Sequence, residues 1–150
     1  MISHPQNKRS VAYHLLLMLI TGIKNATLLA AILAGSPRMT FKNPISYEVP
    51  QIDVLVASAA RSERGDALAL KVVNFAPFAL KANMHIAGMD RLRPTAKMVL
   101  LTGGNLNLDN TADQSDRIVP VAGQRDGIGP DFVHNFPAYS YTILDLREQP

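Results

Sequence analysis

Cysteine and tryptophan are both missing from this chain of 150 residues, and no acidic residue precedes Glu48. Without cysteine there is no disulfide framework, no thiolate metal site and no thiol nucleophile. The lack weights localisation toward the reducing cytoplasm. The lack of early acids makes the charge lopsided. Residues 1–46 carry Lys8, Arg9, Lys24, Arg38 and Lys42 and are net +5, whereas the rest holds 10 basic residues against 12 acids. The overall +3 therefore describes a basic leader and a nearly neutral body. That body has no clustered lysine and arginine, which excludes a nucleic-acid interface.

An unbroken apolar run long enough to cross a bilayer is also lacking. Residues 11–34 are almost wholly apolar, but Lys24 and Asn25 divide them, and neither half reaches the roughly 20 residues a span needs. A charged start, an apolar stretch and small residues near Gly35 are the outline of a secretory signal. Three readings stay open for residues 1–46: a signal or anchor, a spanning helix with residues 11–34 in contact with membrane, or a buried or stray helix. A secreted or membrane-associated location follows only from the first two. Asn25-Ala26-Thr27 forms a glycosylation triplet inside the apolar run, where it has little meaning.

What is present is length and apolar content. With 47% hydrophobic residues, 150 residues bury a real core. Breakers at Gly35-Ser36-Pro37 and Asn43-Pro44 place a boundary between residues 35 and 47. The expected division is an apolar, helical extension over residues 1–46 and one domain over residues 47–150.

Beyond residue 47 the period becomes that of strands. Residues 52–60, 67–75, 80–86, 95–102, 117–122, 132–136 and 139–146 read as strands between polar turns. Leu80, Ala82, Met84 and Ile86 alternate with Lys81, Asn83 and His85, the mark of an antiparallel sheet with one wet face. No helical pattern separates the strands. The fold class is all-β, an antiparallel β-sandwich of jelly-roll-like type. Alternation assigns Leu68, Leu70, Val72, Met84, Ile86, Leu100, Ile143 and at least one of Leu144 or Leu146 to the interior.

Candidate sites are few. Asn105, Asn107, Asp109, Asn110, Asp113 and Asp116 crowd one loop, but without the spacing of a calcium loop, and turn residues of this kind ordinarily bond their own backbone. His4, His14, His85 and His134 have no metal-ligand spacing and are expected at surfaces or strand edges. Ser140 lies outside any nucleophile elbow and reads as a structural strand serine. No catalytic residue, cofactor site or metal site is assigned. Tyr47, Phe132, Phe136, Tyr139 and Tyr141 are the strand aromatics, of which Tyr139, Tyr141 and Phe132 are the candidates for stacking on a sugar.

Five pieces in order carry a more specific meaning: Leu70-Lys71-Val72-Val73-Asn74; Val99-Leu100-Leu101-Thr102-Gly103; Asp109-Asn110-Thr111 with Asp113; Ile118-Val119-Pro120; and Phe136-Pro137-Ala138-Tyr139-Ser140 running to Ile143-Leu144. With residues 54–61 before them, they resemble the C-terminal β-sandwich domain of family 51 glycoside hydrolases, the α-L-arabinofuranosidases. The resemblance spans about residues 47–148. Ser115 and Ala138 stand where that family often has proline, and residues 1–46 do not resemble what precedes the domain there.

The resemblance implies a sandwich that accompanies a catalytic (β/α)₈ barrel in the same chain. Such an enzyme removes terminal α-L-arabinofuranosyl residues from arabinose-containing polysaccharides with a pair of glutamates. The three glutamates here, Glu48, Glu63 and Glu148, match neither catalytic motif. The implied role is accessory, without the barrel. The alternative is a carbohydrate-binding or protein-interaction module acting alone.

Overall fold

A computed structural model describes residues 27–29, 36–40, 51–105, 108–111, 113–114 and 116–150. Among the described residues ten strands run in chain order: β1 (Thr27–Leu29), β2 (Arg38–Met39), β3 (Ile52–Asp53), β4 (Leu55–Arg61), β5 (Ala67–Asn74), β6 (Leu80–His85), β7 (Thr95–Thr102), β8 (Val121–Asp126), β9 (Asp131–Phe136) and β10 (Ser140–Arg147). All pairings are antiparallel. The expected all-β class holds, and no helix occurs among the described residues. Residues 27–29 and 38–39, within the stretch expected as helix, form strands; residues 1–26, 30–35 and 41–46 of that expectation lie outside the described residues.

The main layer is a six-stranded sheet in the order β1-β4-β5-β10-β7-β8, and the second layer is the pair β6-β9. A short β2-β3 ribbon stands apart. The register sets which side chains share a face. Leu144 lies opposite Leu70 and Met98, and Thr142 lies opposite Val72 and Leu100. Leu55, Leu68, Leu70, Val72, Ala96, Leu144 and Leu146 on this face pack with Phe132 and Phe136 of β9 in one core cluster. β6 completes the second layer with half-buried Leu80, Ala82 and Met84, while Lys81, Asn83 and His85 stay wet.

Two strands depart from simple alternation. β5 and β10 are the middle of the sheet and are buried along nearly their whole length. Their near-continuous apolar sequences therefore mean cover on both faces rather than one. The second cover is the 103–118 loop. Ile118 and Leu108 pack on Leu101, Tyr141, Ile143 and Val99 of the outer face. Ile118 is buried without being in a strand, which corrects the expected strand at residues 117–122: β8 begins at Val121 and runs to Asp126. Gln124 and Arg125 pair with Lys97 and Ala96 in a stretch that glycine and charge make look like a turn. Met84 and Leu100 are only half-buried, because the second layer is too narrow to cover the full width of the first.

His134 corrects another expectation. It lies 6% exposed on the inner side of β9, edge-on to Phe136 at 4.6 Å between ring centroids, and its Nδ1 has no hydrogen-bond partner. Burial, and then the Arg125 charge, push its pKa below the ordinary histidine value. The folded state thus prefers neutral imidazole. Its contribution is complete above pH 6.5, the unfolded value, and is lost as pH falls through the lower folded pKa.

Two outcomes follow. Phe136→Ala, at a fully buried site, should lower unfolding free energy by roughly 3–5 kcal/mol in urea titrations. His134→Leu should flatten the loss of stability below pH 6.5, read from unfolding midpoints across a pH series; an unchanged acid limb would remove His134 from this role.

Candidate functional site

The corner where β5, β7 and β10 end gathers the polar chemistry of the domain. Asn74 closes β5 and is 1% exposed. Its Oδ1 accepts from Ala76 N at 2.9 Å, and its Nδ2 donates to the carbonyls of Phe78 (3.0 Å), Phe136 (3.1 Å) and Pro137 (2.8 Å). One amide thereby joins the 75–79 turn to the turn between β9 and β10. Ser140 Oγ donates to Pro137 O at 2.7 Å, and Thr102 Oγ1 donates to Ala138 O at 3.0 Å. Ser140 is thus a structural serine, as its sequence context indicates.

This clamp holds Tyr139 at φ 46°, alone among the described non-glycine residues in having positive φ. A bulky side chain rarely adopts that conformation, so the surroundings must enforce it. Tyr139 N donates to Ala76 O at 3.1 Å, which closes the corner.

The opposite wall is the 103–118 loop. Asn110 brackets Ile118, with Nδ2 donating to its carbonyl at 2.8 Å and Oδ1 accepting from its N at 2.7 Å. A Cβ on Gly103 would stand 2.9 Å from Ile118 Cδ1, so a side chain there would require the tip of Ile118 to shift. Asp109 Oδ1 accepts from Asn110 N at 2.8 Å. These acids and amides bond local backbone, while Asp113 and Asp116 are exposed. Asn107 lies outside the described residues. No group of three or more His, Asp or Glu able to hold a metal occurs among the described residues.

Between the clamp and the loop lies a cleft of about 180 Å³. Val73, Leu101 and Tyr141 form part of its lining from the sheet, Ile118 and Leu108 from the loop, and Phe75 and Tyr139 from the two turns. Of the sugar-contact candidates, the fold brings Tyr139 and Tyr141 to this cleft and sends Phe132 into the core between the layers. Phe136 is in the core as well. Tyr47, His4 and His14 lie outside the described residues. Tyr141 is 4% exposed, and its hydroxyl is buried without a partner. Burial raises its pKa above the usual tyrosine value. Sequence reasoning passed over Asn74; the available hint was an asparagine ending an apolar strand just before Phe75-Ala76-Pro77.

No protein-family model and no curated protein sequence matches the chain. Solved structures do. An α-L-arabinofuranosidase from Thermotoga maritima, in complex with arabinose, is 25% identical with a TM-score of 0.60 over 67% of this chain and 20% of its own. The thermostable family 51 enzyme from Thermotoga petrophila is 26% identical with a TM-score of 0.59 over 66% of this chain and 20% of its own. The chain resembles one part of the family 51 arabinofuranosidases. It is a glycoside hydrolase-related β-sandwich, and it spans about a fifth of the length of the enzymes it matches. A family 51 enzyme from Xanthomonas axonopodis, 20% identical at a TM-score of 0.56, shares the fold.

Buried hydroxyls without partners cost stability, so removing them should not. Tyr141→Phe and Thr142→Val each delete such a group, and each should leave unfolding free energy within about 0.5 kcal/mol of the parent or raise it. A loss above about 2 kcal/mol in either would mean that its hydroxyl is bonded in solution.

Proposed function

We propose that residues 47–150 are the accessory sandwich of an α-L-arabinofuranosidase-type glycoside hydrolase, with residues 1–46 as an extension. The single observation behind this is the match of two-thirds of the chain to only a fifth of each Thermotoga enzyme. In such enzymes the domain accompanies a catalytic barrel that removes terminal arabinofuranosyl residues from arabinose-containing polysaccharide. Its role here is to pack on that barrel in the same polypeptide or supplied by another. Exposed Val56, Phe78 and Val121 give it apolar surface to cover. No residue is assigned to catalysis: Glu63 is exposed in the turn between β4 and β5, and Glu148 bridges to Leu92 at the chain's end. A retaining pair would need two carboxyls about 5 Å apart around the sugar.

A carbohydrate-binding module acting alone is the second reading, and it has less support. Sugar platforms use exposed rings, whereas Phe132 and Tyr141 are 7% and 4% exposed.

A chimera separates them. Residues 47–150 replace the matching fifth of a family 51 arabinofuranosidase, beside a truncation that lacks it. The chimera should recover soluble expression and hydrolysis of an aryl arabinofuranoside that the truncation loses, while the isolated chain turns over nothing. A chimera as unstable as the truncation, together with retardation of the isolated chain on arabinan gels, would favour the binding module.

A further inference from the structure

The cleft at the clamped corner has chemistry that the accessory role does not use. All 12 residues lining it are uncharged. A charged ligand would lose its hydration there with nothing to replace it. The polar side chains among them are largely committed: Asn74, Thr102 and Ser140 bond the backbone of the turns. The Tyr141 hydroxyl is buried beneath the surface. What faces an occupant is mostly Val73, Leu101, Leu108 and Ile118. A polyol would meet apolar groups with most of its hydroxyls, and each unmatched one counts against binding. The size suits one ring, since an apolar cavity of about 150 Å³ holds benzene.

The rim supplies aromatic surface. Phe75 is 39% exposed beside the cleft, and Tyr139 is half-buried on the adjoining turn. Tyr139 is the strained residue, and glycine or asparagine would meet φ 46° more easily. Hydrogen bonds at Pro137, Ala138 and Tyr139 fix the turn, so the backbone holds the Tyr139 ring at the edge of the cleft. Backbone strain that the surroundings over-determine clusters at ligand sites. We propose that this cleft binds a neutral single-ring aromatic molecule, with Tyr139 as the stacking contact and Phe75 as the second rim ring. The site is independent of the accessory role, whose own test is the chimera.

The test is titration of the ¹⁵N-labelled full chain with phenol, and in parallel with L-arabinose, followed by amide shifts. Phenol should move the amides of Gly103, Leu108 and Tyr139 together, and L-arabinose should move none. Tyr139→Gly should weaken phenol about tenfold, the scale of one lost aromatic pair with its contact area, while its thermal midpoint stays level or rises as strain is released. Phe75→Ala, at an exposed position, should weaken phenol in the same direction and supplies the reading if Tyr139→Gly does not fold. Absence of phenol shifts overturns the proposal. Shifts with L-arabinose instead overturn the ligand class. Unchanged phenol binding in Tyr139→Gly, with a lowered midpoint, makes Tyr139 purely structural and overturns its role.

Discussion

The side chain of Asn74 is the constraint on which the corner of this domain depends. Four hydrogen bonds from one buried amide tie β5, the 75–79 turn and the end of β9. The end of β9 lies 62 residues further along the chain and belongs to the other layer. A buried amide is tolerable only when its groups are matched, and matching them sets the relative position of everything it touches. The position of the second layer, the strained φ of Tyr139 and the shape of the cleft follow from that positioning. An apolar residue in its place would leave the Pro137 and Phe136 carbonyls one donor fewer in a buried setting.

The second organising fact is that β5 and β10 are covered twice. One face meets the β6-β9 pair, whose Phe132 and Phe136 fill the space between layers. The other meets a loop with no strand of its own at Ile118. A loop can serve as a layer here because Asn110 satisfies both backbone groups of Ile118, leaving its side chain free to pack. The polar residues that crowd this loop in the sequence are thus partly the means of burying an apolar one. Elsewhere that face is more open, with Val56, opposite Val73, 47% exposed. Apolar surface of this kind is ordinary on a domain that works against a larger body and a liability on one that works alone.

The edges of the main sheet are handled differently. β4 is joined by Thr27–Leu29, so part of the basic leader extends the sheet through backbone hydrogen bonds. β8 ends the other side and carries Gln124, Arg125 and Asp126, whose polarity discourages further pairing. Ion pairs contribute little by comparison: His85 with Asp131 and Arg38 with Asp53 are both largely exposed. The fold rests on apolar burial and matched backbone groups rather than on charge.

The sequence by itself determined the class, because period-2 alternation between polar turns admits little but antiparallel sheets. Leu68, Leu70, Val72 and Ile86 are buried on that ground alone. The ordered pieces from Leu70 to Leu144 were enough to point to the arabinofuranosidase sandwich, since five short elements in one order are far more specific than any one alone. Tertiary structure alone decided which face each apolar residue serves. Ile143 is buried, as alternation requires, but under the loop rather than between the layers, and nothing local distinguishes the two. It also decided that His134 is interior, because an isolated histidine between exposed Val133 and Asn135 takes its side from the register of β9 with β6. The cleft was likewise illegible. Val73, Ile118 and Tyr139 meet only when a buried asparagine draws two distant turns together, and spacing along the chain carries no record of that meeting.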